Sequence, residues 1–422
     1  MIQATITSNL VQNQHRIVKL QYFENITRYY RFFQIYSQNI EQVIDHFIGP
    51  HGLHNSDPKL RSRVSYLFSR FTKDLKNLLS NFIEKILNSI QDLLIIQSPL
   101  QSQTLGQEGP LSVDDQLFLY ETVSVLIVSS NLEPKIKAQL MKSLLSPLVG
   151  CFGELLTKYC EIQDEKIKLI YAKSLNAAML VASRVSKGFS NQIKVKDCEC
   201  VELFLEILRI FLPSINVTTH KNLIHVGFRQ YLHRMIVCLD NEVFEYLPLT
   251  IEHLIKISNE PKDLYDLVPL LSQIVNKYKQ QIVRFMQSIL MQFVTAVTNY
   301  TNSLPADIIN NLFKASSTNL SNQTVLSSTS PVTANNNNSI EPQFIVDVQQ
   351  LYRAYFQFML NIINNDLVDI ISAQQPNDIY KIFFTLLQGA QIGSQDISKS
   401  CFQVIRKLIS VFGNYFLHLK CY

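Results

Sequence analysis

Apolar residues recur with helical spacing along nearly the whole chain, and no stretch shows the sustained alternation of a half-buried strand. The predicted helices include residues 17–35, 57–79, 196–213 and 344–373. Successive helices pair, and each pair occupies roughly 35–50 residues, a period typical of HEAT-type repeats. One pair cannot bury its apolar faces alone, so pairs stack on one another. We therefore predict an all-α fold, a HEAT-repeat α-solenoid of antiparallel helix pairs.

A polar stretch rich in Ser, Thr and Asn interrupts this pattern late in the chain. It includes the run Asn335–Asn338 and has too few apolar residues to bury a core, which predicts disorder. Helix pairs of the same character resume beyond it. We expect the solenoid over residues 1–314, a disordered insertion over 315–341 and further HEAT-like pairs over 342–422. A linker between two domains is the alternative interpretation of the insertion.

The helix predicted over 57–79 has clear start signals and two different faces. Asp57 can cap its N-terminus and Pro58 suits the first helical position. One stripe is apolar and predicts the core-facing side: Leu60, Val64, Leu67, Phe68, Phe71, Leu75, Leu78 and Leu79. The other stripe, which we call the basic ridge, has spacings of 4, 3, 4 and 3 residues: Lys59, Arg63, Tyr66, Arg70 and Lys73.

Charge on the basic ridge is unusual for a purely structural helix. Like charges at these spacings repel by roughly 0.2–0.5 kcal/mol per pair, so structural helices more often alternate their sign. The whole chain has a formal net charge of only +4, which makes the ridge a local excess. Such a ridge with an aromatic residue within it fits a surface that follows phosphates. A solvated helix face is the alternative.

Two weaker groups of basic residues follow. Lys187, Lys194 and Lys196 surround a predicted loop and form a second candidate site for phosphate contacts. Arg229 and His233 lie a turn apart at the edge of the apolar stripe of a later predicted helix, and Arg234 lies farther round that helix. They fit either a polar contact between helices or a contact to phosphate or carboxylate.

Residue patterns for enzymatic chemistry are absent from the sequence. It has no glycine-rich phosphate loop, no HExxH or GxSxG motif and no pair of CxxC motifs. Cys198 and Cys200 have no second ligand pair at zinc spacing, and the seven cysteines fit reduced thiols in the cytosol or nucleus. No apolar run approaches the roughly 18 residues that span a bilayer. We expect no catalytic site, metal, cofactor or membrane insertion.

Four sequence blocks, in this order and spacing, resemble one protein family. They are LRSRVSYLFSRF (Leu60–Phe71), SVDDQLFLYET (Ser112–Thr122), ASRVSKGFSN (Ala182–Asn191) and YLHRMIVCL (Tyr231–Leu239). The chain resembles the exportin-T family, tRNA export receptors of the importin-β (karyopherin) superfamily. The similarity runs from about residue 22 to 300 and resumes more weakly from 344 to 412.

This resemblance implies a HEAT solenoid that is not an enzyme. Family members bind tRNA together with Ran-GTP, interact with nuclear pore proteins as they pass through the pore, and shuttle between nucleus and cytoplasm. A-form RNA hides its base identity in a deep groove and exposes its phosphates, so basic side chains would supply most contacts. Nothing in the chain resembles the family's N-terminal Ran-binding repeats, which implies a middle-to-C-terminal portion and leaves Ran-GTP binding open. The alternative is a HEAT-repeat scaffold that binds proteins and no RNA.

Overall fold

The computed structural model describes five stretches of the chain: residues 2–8, 10–94, 111–302, 342–391 and 395–419. Within these stretches the regular secondary structure is α-helix with short 3-10 segments, and no strand is present. The all-α prediction is confirmed. The helices divide into two compact units, Met1–Tyr246 and Leu247–Tyr422.

The first unit holds the helices α1 to α12. Their bounds are α1 Ile2–Thr7, α2 Arg16–Arg28, α3 Arg31–Ile35, α4 Ile40–Ile48, α5 Pro58–Leu79, α6 Ile83–Ile90, α7 Val113–Ser129, α8 Pro134–Glu161, α9 Glu165–Val185, α10 Gln192–Asp197, α11 Val201–Phe211 and α12 Lys221–Leu239. The bounds of α5 agree with the predicted 57–79 to one residue.

Helices of the first unit stack in two layers. In the first layer α5 packs on α2 and α7, α7 packs on α9, and α9 packs on α12. The second layer contains α4, α6, α8 and α11, and α8 packs on α7, α9 and α11. A helix therefore contacts its counterpart in the next pair as well as its own partner, which is the arrangement of HEAT repeats.

Local signals explain where α5 begins and which face it buries. Asp57 accepts a hydrogen bond from the backbone N–H of Lys59 at 2.9 Å, and Pro58 is the first helical residue, as predicted. On the apolar stripe, Phe68 and Phe71 are fully buried, with ring centroids 5.3 Å from that of Phe47 in α4. Each buried phenyl group contributes about 1.5–3 kcal/mol to stability.

The predicted helix over 17–35 is two helices in the structure. The backbone leaves helical geometry at Tyr29, so α2 and α3 are separate. The predicted helix over 196–213 missed a preceding short helix, α10, whose N-terminus is capped by Asn191 through a bond from Lys194 N at 3.1 Å. Apolar spacing continued across the first break, so periodicity alone did not reveal it.

The second unit holds seven helices among the described residues. Their bounds are α13 Leu247–Lys256, α14 Pro261–Tyr278, α15 Val283–Asn302, α16 Pro342–Asn364, α17 Asp369–Ser372, α18 Pro376–Gln391 and α19 Gln395–Leu419. The predicted helix over 344–373 is divided into α16 and α17, because Asp366 takes a left-handed backbone conformation with φ of 57°.

The two-layer order recurs within this second unit. One layer runs from α14 through α16 to α19, and the other runs from α13 through α15 to α17 and α18. The helices on either side of residues 303–341 therefore pack together in one unit. The predicted disordered insertion at 315–341 lies outside the described residues.

Helix α8 departs from the expectation that no segment could span a bilayer. It has 28 residues, and an 18-residue window reaches a mean hydropathy of 1.2, which suffices by length and composition alone. Its buried residues form a single stripe that packs into the first unit: Met141, Leu145, Leu148, Phe152, Leu155 and Tyr159. A core helix of a soluble protein passes the same test, so this helix is weak evidence for a membrane segment.

Candidate nucleic-acid interface

The basic ridge lies on the side of α5 opposite its apolar stripe. All four of its cations are exposed, and Tyr66 is half-buried. Because the apolar stripe packs into the core, the ridge faces outward between the neighbouring helices α2 and α7.

Arg63 is paired with an acid that the sequence did not point to. Its Nε lies 2.9 Å from Oε1 of Glu24 on α2, and its Nη2 donates to the same oxygen. The guanidinium also lies over the ring of Tyr66, 5.0 Å from the centroid. Arg63 is therefore held between a carboxylate and an aromatic face.

Lys73 is paired with a different acid, Glu121, which also binds Arg184 of α9. Lys73 Nζ lies 2.8 Å from Oε1 of Glu121, and Arg184 Nη1 lies 3.2 Å from the other oxygen, Oε2. The Glu121 side chain is only 8% exposed, whereas those of Lys73 and Arg184 are 46% and 34% exposed. Sequence reasoning missed Arg184 as a site residue, although it lies within the block ASRVSKGFSN.

Lys59 and Arg70 are exposed, and within the described residues neither has an ion-pair partner. Half of the ridge cations are therefore neutralised by a neighbouring acid. Arg63 and Lys73 each face a carboxylate, whereas Lys59 and Arg70 have no acidic partner among the described residues. Exposed cations of this kind attract anions through solvent, and salt weakens that attraction.

A cleft of about 470 Å³ lies between α5 and α7 at the N-terminal end of the ridge. It is lined by Pro58, Lys59, Ser62, Arg63, Tyr66, Asp115 and Phe118. The rings of Tyr66 and Phe118 meet edge to face, 5.5 Å apart. Sequence reasoning missed Phe118, since nothing in the charge pattern marks it. A cleft lined by two aromatic rings and two cations suits a flat ring that carries a phosphate.

The one carboxylate in this cleft is already engaged by the protein. Asp115 is buried, and it accepts hydrogen bonds from Ser62 Oγ at 2.8 Å and Ser112 Oγ at 2.7 Å. Ser112 also caps α7 by accepting a hydrogen bond from the backbone N–H of Asp115. These bonds hold the carboxylate at the N-terminal end of α7.

Lys187 lies in the turn after α9, and the structure brings this turn against α7. Ser124 Oγ donates a hydrogen bond to the carbonyl of Val185, and Gly188 approaches Ser124 so closely that no side chain fits. Lys187 is exposed, and its pKa is lowered by partial burial and then by the charge of Arg184. The turn thus lies near the Glu121 group, which the sequence did not connect with it.

Lys194 and Lys196 are not beside the ridge. They lie on α10, which packs on α12. Lys194 is 3.9 Å from Asp197, and Lys196 is 3.5 Å from Glu242. All four side chains are largely exposed, and such pairs contribute about 0–1 kcal/mol. Their role in nucleic-acid binding stays a prediction.

Arg234 has an internal role. Its guanidinium donates to Ser186 Oγ at 3.1 Å, to the Ser186 carbonyl at 2.9 Å and to the Phe189 carbonyl at 3.0 Å. Of the two interpretations that the sequence left open, these bonds favour the polar contact between helices. Arg229 is half-buried on the same helix, and the pKa of His233 is lowered by burial and by the charge of Arg234.

Metal ligands do not come together in the part of the chain that the structure describes. It contains no group of three or more His, Cys, Asp or Glu residues arranged to hold an ion. The cysteines described there are unpaired: Cys151, Cys160, Cys198, Cys200, Cys238 and Cys401.

Comparison with known proteins gives a family match. The family model described as Exportin-T matches residues 1–306. Exportin-T of Mus musculus is 36% identical over 414 residues, which are 98% of this chain and 39% of the mouse protein. Exportin-T of Danio rerio is 35% identical over 414 residues. Exportin-T of Arabidopsis thaliana is 27% identical over 310 residues, or 73% of this chain. The chain spans 39% of the length of the animal relatives it matches.

Proposed function

Since this chain belongs to the exportin-T family, we propose that it binds tRNA as part of a nuclear export receptor. The observation that carries this proposal is the basic ridge, in which Lys59 and Arg70 remain exposed and uncompensated among the described residues. Cations in this state gain most from an anionic partner, because no internal carboxylate competes for them.

The first layer of helices supports an RNA surface that extends beyond one helix. Lys73 on α5 and Arg184 on α9 share Glu121, and Lys187 lies beside them. Helices α5 and α9 thus offer cations on either side of α7. An A-form backbone presents phosphates at regular intervals and its base edges poorly, so such a surface reads shape more than sequence. Binding would depend strongly on salt.

The wider transport cycle follows from family membership as part of the proposal. The receptor would bind tRNA in the nucleus with Ran-GTP, pass nuclear pore proteins and release tRNA in the cytoplasm. In such a cycle the two ligands must favour the same conformation, so each raises the affinity of the other by the same factor. Lys194 and Lys196 are retained as candidate RNA contacts away from the ridge, and so are Arg229 and His233 beside Arg234.

A second candidate function is a protein-interaction scaffold without RNA binding. Two observations favour it. The first is that Arg63 and Lys73 are already paired with Glu24 and Glu121. The second is a mainly apolar cleft of about 450 Å³ between α6 and α8, with Leu87, Leu140 and Leu144 among its lining residues. An apolar helix or short apolar segment of a partner suits such a groove.

The two candidates are separated by a titration of labelled tRNA with the purified chain, with and without GTP-loaded Ran, at two salt concentrations. Salt-sensitive binding that Ran-GTP strengthens is expected for the coupled receptor. A tRNA affinity that does not change with Ran-GTP supports a portion of the receptor that binds RNA without contacting Ran. Absence of binding at low salt would refute the RNA proposal and leave the scaffold.

A further inference from the structure

Glu121 lies beneath a group of cations that come from different helices. Its Oε1 accepts from Lys73 of α5 at 2.8 Å, and its Oε2 accepts from Arg184 of α9 at 3.2 Å. Each carboxylate oxygen serves one cation, so the two side chains are held next to each other. The acid is 8% exposed and the cations are 46% and 34% exposed, so the outer sides of the cations remain in solvent.

Lys187 adds a third cation to this group. Its pKa is lowered first by burial and then by Arg184, with smaller effects from Arg234 and Lys73, while Glu121 opposes the shift. The turn that carries Lys187 packs on α7 at Ser124, three residues along the helix from Glu121, so the lysine lies near the same charges. One carboxylate cannot neutralise three cations, and the surplus positive charge favours an anion on the solvent side.

The turn that carries Lys187 is fixed in place. Gly188 contacts Ser124, where a Cβ would come within 2.2 Å of Oγ, and Arg234 bonds to both the side chain and the carbonyl of Ser186. Little conformational freedom is then lost when a ligand binds, which favours affinity.

We propose that Lys73, Arg184 and Lys187 form one phosphate-binding site and that Glu121 is its positioning residue. The site takes a phosphate of the RNA backbone, so this inference rests on the proposed function. Arg184 donates one of its five N–H groups to Glu121, and its planar fork suits phosphate oxygens. The lysines supply point charges on either side.

Replacing Glu121 distinguishes a positioned site from diffuse electrostatic attraction, because the two predict opposite changes in RNA affinity. Glu121→Gln removes a negative charge, so a purely diffuse attraction predicts tighter RNA binding. If Glu121 positions the cations, the amide can accept from only one of them and presents an NH2 donor to the other, so binding weakens although the net charge has risen. Glu133→Gln, an exposed position at the start of α8, makes the same charge change away from the site.

The experiment measures the affinity of the full chain for labelled tRNA by fluorescence anisotropy. We expect Glu121→Gln to weaken binding about 5–10-fold, comparable with the loss of one phosphate contact. Glu133→Gln should leave the affinity unchanged or slightly improved. An affinity of the Glu121→Gln chain equal to or tighter than that of the unchanged chain would overturn the positioning role.

Lys187→Gln provides a variant that keeps the bonds from Lys73 and Arg184 to Glu121 intact, since the Lys187 side chain is exposed. It should weaken tRNA binding and reduce the slope of log affinity against log salt by about one. Lys142→Gln, at an exposed position on α8, is the matched control and should behave as the unchanged chain. Equal slopes for the two variants would overturn the assignment of Lys187.

Inorganic pyrophosphate distinguishes failure of this site from failure of the RNA proposal. Even if the unchanged chain binds no tRNA, pyrophosphate should raise its midpoint of thermal unfolding, because a ligand of the native state stabilises it. The Lys142→Gln chain should show the same rise, and the Lys187→Gln and Glu121→Gln chains a smaller one. An equal rise in all four chains would show that the anion binds elsewhere, against the proposal.

Discussion

Arg234 holds Ser186 through two hydrogen bonds, one from Nε to the side-chain oxygen at 3.1 Å and one from Nη2 to the carbonyl at 2.9 Å. Two of the sequence blocks that carry the family resemblance, YLHRMIVCL and ASRVSKGFSN, are joined by these bonds. These bonds make Arg234 a structural contact between α12 and the turn after α9.

Replacing Arg234 by Ala should therefore affect stability more than RNA binding. The buried acceptors lose a charged donor, which costs about 1–3 kcal/mol. Urea unfolding measures the change. Arg209→Ala is the control, because Arg209 is 48% exposed and pairs with exposed Glu202, so its loss should destabilise the chain less than the loss of Arg234. Similar losses for both variants would contradict the internal role of Arg234.

The contact between Gly188 and Ser124 gives a second prediction. A Cβ at position 188 would lie 2.2 Å from Ser124 Oγ and 2.9 Å from its carbonyl carbon, so Gly188→Ala must displace backbone. We expect a loss of about 1–3 kcal/mol in the free energy of unfolding. Gly153→Ala in α8 meets nothing within 4 Å and should stabilise the helix by up to about 1 kcal/mol. Destabilisation by both substitutions would argue against a specific close approach at Gly188.

Substitutions of Tyr66 test whether the cleft between α5 and α7 binds unpaired bases. Tyr66→Ala should weaken binding of single-stranded RNA by about 1–3 kcal/mol, the range found for stacking of one base on an aromatic ring. Tyr66→Phe keeps the ring and should bind as the unchanged chain does. A fully paired RNA duplex serves as the control ligand, because its stacked bases cannot enter the cleft. Equal affinities of the Ala and Phe variants for single-stranded RNA would rule out stacking.

We expect the free energy of unfolding to depend on pH through His46. Tyr22 Oη lies 2.6 Å from His46 Nδ1, and the pKa of His46 is lowered by burial and by His51, with Asp45 opposing. The unfolded chain then binds the proton more readily than the folded chain, so stability falls as the pH drops below about 6.5. The urea midpoint should be lower at pH about 5.5 than at about 7.5, and His46→Gln should reduce the difference. The same pH dependence in both chains would exclude His46 as its source.

Local signals in the sequence were enough for the fold class and for the key helix. The cap at Asp57, the proline at the first position and the apolar stripe of α5 all act within one helix, and all were predicted. Breaks in helices were harder to see. Tyr29 interrupts the helix predicted over 17–35 without a glycine or proline, and Asp366, just after α16, takes a conformation that few side chains adopt.

The charge partners could not be predicted, because they depend on which helices become neighbours. Arg63 and Glu24 are 39 residues apart, and Arg184 and Glu121 are 63 residues apart. A pattern along one helix shows that Lys73 is on the ridge, but not that a buried glutamate of α7 lies beneath it. The aromatic partner Phe118 was missed for the same reason, since it lies on α7 and meets Tyr66 only when α5 and α7 pack together.

The central claim, that the basic ridge binds RNA phosphates, is tested most directly by replacing the two ridge cations that have no ion-pair partner in the described structure. Lys59→Gln together with Arg70→Gln breaks no ion pair there, so any effect on tRNA binding reports on the exposed charges themselves. The tRNA affinity of the double variant and of the unchanged chain is measured between about 50 and 200 mM salt. We predict weaker binding by the double variant and a slope of log affinity against log salt that is smaller by about two. An unchanged affinity and slope in the folded double variant would contradict the claim.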